Sequence, residues 1–365
     1  MRPASMAVGA AAFATGLAAA VAFVSPVPGG VMQGRATRWQ RVGGGGARPA
    51  GTTMMALKGL ARKAKEAEVS KDMEALRSSE PDSPVFKILE QADAGSVLAD
   101  GPEYPLSSVL RKNKGTLSVV AEYRKILKSG FIDGILEPEL LCPLFRNGGA
   151  ACVAVAMEKQ TGGCTDDDMR RVVKDQENSR GDFPGPMPII VRDLVLSEFQ
   201  IARAKASGAH GVTVVLSLVG AERSAELCAF CKKLGMEAVV QTTNKEEIEG
   251  AVGAGATIVS VVGKTVEEAA DLRQHIPDSV LAVVHVDRRS DEGWEEIEDC
   301  WQLRDAGYNT IWVSEVLYKG GMMQTETAEA IIKAIRAKAS VKFGRARGMS
   351  GQGEGAKEFL GYLAQ

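Results

Sequence analysis

Charged and polar side chains directly follow several short apolar runs of this 365-residue chain, and many of the charged ones are cations. Arginine binds phosphate or carboxylate through the planar fork of its guanidinium, so a cluster of these cations would bind a small anion. The alternative is that they are ordinary loop charges in weak surface ion pairs. The candidates for a site are Glu122, Arg124, Arg192, Gln241, Lys264, Arg288, Ser314, Glu315, Gly320 and Gly321.

The elements that must position these candidates recur from Thr116 onward, where β-branched apolar runs alternate with charged amphipathic stretches. Near-continuous apolar strands that each precede a helix indicate a parallel sheet covered by helices. Eight such units in residues 116–340 match the size of an α/β (βα)8 TIM barrel, whose chemistry lies at the carboxyl ends of its strands. The predicted strands are 117–123, 151–157, 187–193, 211–217, 237–243, 257–263, 280–286 and 310–316.

The rival fold is a doubly wound open sheet, which usually has a glycine-rich turn after its first strand. Here Arg124, Lys125 and Ile126 follow that strand, and no G-x-G-x-x-G motif stands there. The sequence therefore favours the barrel. Capped helix starts are predicted at Thr165 with Asp168 and at Thr265 with Glu268.

The first 52 residues have the composition of a targeting sequence. Residues 1–22 resemble a signal peptide, and residues 23–52, which are rich in Arg, Gly and Ala, are typical of a transit peptide. Together they resemble the bipartite presequence of algae whose plastids have extra membranes, so we expect the mature protein in the plastid stroma and not in a membrane. The alternative is a retained anchor, because the apolar stretch 6–24 can just span a bilayer.

Two further segments flank the predicted barrel. Residues 53–115 are predicted as a helical extension, in which helical spacing over 54–79 places Leu60 and Ala64 near one apolar stripe. Residues 341–365 are glycine-rich and basic and are expected to form a flexible tail. Either segment offers a contact surface for a protein partner, but neither identifies one.

The formal net charge of −2 argues against a nucleic-acid-binding protein, which is normally basic. Removal of the five arginines that precede Thr53 would change this charge to −7. Six cysteines are too few for a disulfide scaffold, and Cys228 and Cys231 lie inside a predicted helix rather than in a redox or zinc motif.

We expect no metal and no cofactor. The weaker alternative is a metal site made by Glu158, Asp193 and Asp287, which show no ligand-spacing pattern.

Three of the predicted strands resemble the indole-3-glycerol phosphate synthase family, the barrel enzyme of tryptophan biosynthesis. VVAEYRK (119–125) is similar to the first strand of that family, and LGMEAVVQT (234–242) is similar to the entry into its fifth strand. PIIVRDLVLSEFQIARAKASGA (188–209) is similar to its third strand and the helix that follows. The resemblance covers about residues 54–340 and is weak in the last three strands.

This resemblance implies an enzyme that decarboxylates and cyclises an anthranilate-derived deoxyribulose phosphate, without metal or organic cofactor. It implies catalytic positions at Glu122, Arg124, Arg192 and Gln241, of which Arg192 replaces the general-acid lysine and Gln241 a glutamate. Arginine, with a pKa above about 12, does not release its proton near neutral pH, and an amide does not accept one. The two substituted side chains therefore have a similar length and can form hydrogen bonds as the family's side chains do, but they cannot donate or accept a proton in catalysis.

The phosphate-binding residues of the family are also changed. Ser314, followed by Glu315, replaces its phosphate-binding glycine, and Lys264 stands in the altered sixth strand end. We expect a replacement phosphate site from Arg288, Arg289 and the turn Lys319-Gly320-Gly321. Two hypotheses follow: a plastid enzyme that still closes the indole ring on a phosphorylated substrate, or an inactive anion-binding or scaffold relative.

Overall fold

The computed structural model describes residues 50–96, 102–113, 115–127, 130–131, 137–289, 294–319 and 326–337. The predicted leader up to residue 49, the predicted tail 341–365, Gly320 and Gly321 lie outside the described residues.

Eight parallel strands close into a barrel, which confirms the predicted TIM barrel. Closure is made by the first and last strands, where Ser118 pairs with Thr310 and Ala121 with Val313. A small antiparallel hairpin that the sequence did not predict follows the first strand. In chain order the strands are β1 (Ser118–Tyr123), β2 (Ile126–Leu127), β3 (Gly130–Phe131), β4 (Cys152–Ala156), β5 (Ile189–Arg192), β6 (Gly211–Val215), β7 (Glu237–Thr242), β8 (Ile258–Val261), β9 (Leu281–Val286) and β10 (Thr310–Val313).

Helices alternate with these strands, and among the described residues one long and two short helices precede the barrel. The two predicted capping boxes are present, since Thr165 and Thr265 each accept from the backbone of the third helical residue and bind its side chain. The helices are α1 (Ala50–Ser79), α2 (Pro84–Asp93), α3 (Ser107–Leu110), α4 (Pro138–Gly148), α5 (Asp166–Asn178), α6 (Glu198–Ala206), α7 (Leu216–Val219), α8 (Ala221–Lys233), α9 (Lys245–Gly253), α10 (Val266–Arg273), α11 (Glu295–Ala306) and α12 (Glu326–Ala337).

One strand bound is wrong, since the strand predicted over 211–217 ends at Val215, where Leu216 begins α7. The helix predicted over 54–79 is confirmed as α1, on which Leu60 and Ala64 are exposed. The helix instead packs by its later residues Val69, Met73 and Leu76 against a cluster made with α2 and α6.

Side chains of alternate strand residues divide the core into two layers. The inner layer fills the barrel and includes Val120, Ile190 and Val239. The outer layer lies between strands and helices and includes Val119 and Ala121, the neighbours of Val120 along β1. Glu122, Arg192 and Gln241 each stand two residues beyond an inner-layer residue, so strand geometry places all three on the inner face. No helix among the described residues is long and apolar enough to span a membrane.

The amino end of the barrel is closed by α3, whose Leu106 and Leu110 belong to the inner layer. Buried Glu237 at the start of β7 fixes this helix. Its Oε2 accepts from the backbone N–H groups of Leu106 at 2.8 Å and Ser107 at 2.7 Å, and its Oε1 accepts from Thr257 at 3.0 Å. The carboxylate of Glu237 therefore supplies the acceptor that the free backbone N–H groups at the start of this helix need.

Replacing Glu237 by Ala is expected to lower the free energy of unfolding by about 3 kcal/mol, because buried backbone donors would lose a charged acceptor. Urea unfolding followed by circular dichroism measures this loss. The control is Glu222→Ala on exposed α8 surface, expected within about 0.5 kcal/mol of the parent. Equal unfolding midpoints for the two variants would contradict this role of Glu237.

Candidate functional site

The carboxylate of Glu122 is the centre of the polar cluster at the carboxyl end of the barrel. It is fully buried. Its Oε1 accepts from Arg192 Nη1 at 2.8 Å and from Ser314 Oγ at 2.9 Å, and its Oε2 accepts from Trp312 Nε1 at 2.7 Å. Burial alone would raise the pKa of Glu122, but Arg192, Arg124 and the indole N–H together lower it below its ordinary value of 4.5. Glu122 is therefore ionised at neutral pH.

Arg124 is held in place beside this carboxylate. Its Nη1 lies 3.6 Å from Glu122 Oε1 and 3.5 Å from Glu315 Oε1, and it donates to Ser314 Oγ at 3.0 Å. Its backbone N–H donates at 3.0 Å to the hydroxyl of Tyr318, which donates to the backbone oxygen of Glu122. The first and last strands are thus joined by side chains as well as by their backbone ladder.

Arg192 and Gln241 complete the inner rim. Arg192 reaches Glu122 from β5, and 29% of its side chain stays exposed. Gln241 on β7 is 8% exposed, and its buried Nε2 has no hydrogen-bond partner among the described residues. Glu122, Arg124, Arg192, Ser314 and Glu315 are therefore joined by direct contacts, whereas Gln241 lies on the same inner face without joining them.

Two further residues, Trp312 and His285, belong to this cluster and are not among the candidates from the sequence. Their rings stack with centroids 4.7 Å apart and planes 15° apart. Burial, with a smaller effect of Arg192, lowers the pKa of His285 to about 3, so the imidazole is neutral at physiological pH. The sequence TIWVS (310–314) contains the pattern that indicates this role for Trp312. Because alternate residues of a strand share a face, Trp312 lies on the same face as the candidate Ser314.

Two cations expected to bind phosphate form ion pairs at the outer rim. Lys319 is buried and its Nζ lies 2.6 Å from Glu296 Oε2, and Arg289 Nη2, on a half-exposed side chain, lies 2.9 Å from Asp299 Oδ2. Their role in phosphate binding stays a prediction. Lys264 and Arg288 follow β8 and β9 as half-buried rim residues.

The alternative metal site is not assembled. Glu158 accepts from the backbone of Thr161 at 2.7 Å, and Asp193 lies 2.6 Å from Lys65 Nζ on α1. Asp287 is exposed. Within the described ranges, no three His, Cys, Asp or Glu side chains are grouped as a metal would require.

The pair Cys228 and Cys231 lies on α8 as predicted, and neither thiol forms a disulfide. Burial raises the pKa of both thiols, which disfavours the reactive thiolate.

The model of the indole-3-glycerol phosphate synthase family matches residues 82–334. This chain belongs to that family. The indole-3-glycerol phosphate synthase of Carboxydothermus hydrogenoformans is 30% identical over 223 residues, which span 59% of this chain and 81% of the relative. That of Micrococcus luteus is 28% identical over 286 residues, which span 74% of this chain and 94% of the relative. The family predicted from three strands is thereby confirmed, and the fold is a barrel of the tryptophan-biosynthesis type.

The low pKa of His285 predicts a loss of stability in mild acid. The unfolded histidine binds a proton below about pH 6.5, whereas the folded one does not until about pH 3. Unfolding is therefore favoured progressively as the pH falls from about 6.5, by up to about 1.4 kcal/mol per pH unit. His285→Phe, which keeps an aromatic ring against Trp312, is expected to make this decline shallower.

Urea unfolding of parent and variant between pH 4.5 and 6.5 measures the effect. Glu122 also begins to contribute as the pH approaches 4.5, where its unfolded carboxyl takes up a proton, but parent and variant share this contribution and the comparison between them reports on His285. His275→Gln, at an exposed histidine, is the control and should keep the parent slope. Identical slopes for the parent and His285→Phe would show that His285 is not held neutral.

Proposed function

We propose that this member of the indole-3-glycerol phosphate synthase family has lost ring closure and binds a small anion at the carboxyl end of its barrel. One observation carries the proposal. The carboxylate of Glu122 is fully buried and accepts hydrogen bonds from three side chains of the protein itself. Because a carboxylate offers about four acceptor sites, little capacity remains for a substrate.

The groups near Glu122 also support a loss of proton transfer. Arg192 stands in the position of the general-acid lysine and keeps its proton at every physiological pH. Gln241, in the position of a glutamate, has no titrating proton. The lowered pKa of Glu122 keeps it ionised, and the pKa of about 3 keeps His285 neutral. None of these four groups changes its protonation state near neutral pH, as acid–base catalysis would need.

The position of the family's phosphate-binding glycine is closed as well. The hydroxyl of Ser314 donates to Glu122 and accepts from Arg124. A hydrogen-bonded side chain therefore occupies the space that a glycine would leave open to a phosphate. Lys319, which follows this strand, is paired with Glu296. Arg192, which keeps 29% of its side chain exposed, is the cation of the Glu122 cluster that an anion can reach.

Retained ring closure is the second candidate. It is favoured by Glu122 itself, which matches the family, and by the 29% exposure of Arg192, whose movement would release the carboxylate.

The two candidates are separated by an activity assay. The purified protein is given the anthranilate deoxyribulose phosphate while the fluorescence of indole-glycerol phosphate is followed. We expect no turnover above that of the heat-denatured protein. Turnover that Glu122→Ala abolishes would overturn the proposal.

A double variant, Arg192→Lys with Gln241→Glu, restores a proton donor and a proton acceptor. It is expected to gain measurable turnover, because each such group contributes roughly 10²–10⁴-fold to a rate. The matched control is Arg170→Lys with Gln274→Glu, the same two exchanges at exposed positions, and it should stay inert. A double variant no more active than this control would mean that lost proton transfer is not the sole cause of inactivity.

We also propose import into the plastid. Residues 1–52 fused to a fluorescent protein are expected to reach the plastid in an alga of the kind named above, whereas residues 23–52 alone should remain in the cytosol. Retention of the full fusion in an outer membrane would favour the anchor instead.

A further inference from the structure

Three neighbouring strands carry buried polar atoms that the protein leaves unsatisfied. They are Gln241 Nε2 on β7, Ser260 Oγ on β8 and His285 Nε2 on β9, and none has a hydrogen-bond partner among the described residues. Gln241 is 8% exposed and Ser260 is fully buried. We call these three side chains the open arc.

Strand register places the open arc on the inner face of the barrel. Gln241 and Ser260 are direct partners across β7 and β8. Each stands two residues after an inner-layer residue, Val239 and Ile258 respectively, and His285 stands two after Val283. The arc therefore begins beside β10, where His285 stacks on Trp312, and continues along the mouth through β8 to β7, away from Glu122.

The two sides of the mouth differ in how their charges are paired. Around Glu122 the carboxylates contact guanidinium groups, although Arg124 Nε has no hydrogen-bond partner among the described residues. The open arc is formally neutral, and each of its unsatisfied atoms costs about 1–3 kcal/mol of desolvation. Native proteins seldom keep several such atoms together, and a ligand that satisfies them is one reason to do so. The unsatisfied polar atoms of the arc are therefore expected to form hydrogen bonds with a ligand.

Charge selects the ligand. The carboxylates of Glu122 and Glu315 balance the guanidinium groups of Arg124 and Arg192, so this cluster has no formal excess of cations to offset a dianion. Arg192 nevertheless lies close enough to lower the pKa of His285, and it stays 29% exposed. A planar group with one negative charge and several acceptor lone pairs fits such a guanidinium beside neutral polar side chains.

We propose that the open arc and Arg192 bind the carboxylate of a small organic acid. This inference rests on the proposed function, since it names the anion class for the same barrel mouth. Phosphate is expected to bind outside the open arc, at the outer rim near Lys264.

The full-length purified chain is titrated with acetate, benzoate and inorganic phosphate at constant ionic strength and pH 7, by calorimetry and by thermal unfolding. At least one carboxylate should bind and raise the melting temperature. Gln241→Leu and Ser260→Ala should each weaken that binding by about tenfold or more, the loss of one hydrogen bond to a charged group. Neither variant should change phosphate binding.

The same two variants test the energetic argument without ligand. Because each removes an unsatisfied buried polar atom, each should melt at or above the parent temperature. The matched control is Thr310→Val, which removes an unsatisfied buried hydroxyl at the amino end of the barrel. This control should leave carboxylate binding at the parent value.

Binding of phosphate alone would overturn the inference, as would carboxylate binding that survives in both Gln241→Leu and Ser260→Ala. An inert protein that binds no carboxylate would remove the open arc as a site while the loss of ring closure stands. A protein that closes the indole ring yet binds carboxylate in an arc-dependent way would support the arc and remove the proposed loss of activity.

Discussion

The buried carboxylate of Glu122 is the interaction on which the polar end of this barrel depends. A lone charge would not remain ionised there, because removal from water is expensive. Arg192 from the third barrel strand and Trp312 and Ser314 from the last supply the donors that hold it, with Arg124 close by. Loss of one partner would leave an uncompensated buried charge, which is why these side chains depend on one another.

A second glutamate has the corresponding role at the other end. Glu237 binds the start of α3 and so holds Leu106 under the barrel. Between the two carboxylates the interior is apolar, from Val120 through Val239 to Trp312. The barrel is thus stabilised by close packing in its middle and by one ionic, hydrogen-bonded centre at each end.

The charge states at this end of the barrel support the proposed function. Glu122 is ionised and His285 is neutral near neutral pH, so neither is poised to exchange a proton there. The hydroxyl of Ser314 is bonded within the protein, whereas Gln241 and Ser260 keep unsatisfied buried atoms, as does Nε of Arg124. The stability cost of these atoms is consistent with the usual conflict between function and stability.

The sequence by itself determined the number and order of the barrel strands, two capped helix starts, and the strand ends at which Glu122, Arg192 and Gln241 stand. These follow from local periodicity, since alternation and capping involve residues close together in the chain. Only the tertiary structure decided that Trp312 would bind Glu122 and that Lys319 would be paired with Glu296. Such pairings join residues far apart in sequence, and barrel closure and strand register select them, neither of which a local pattern encodes.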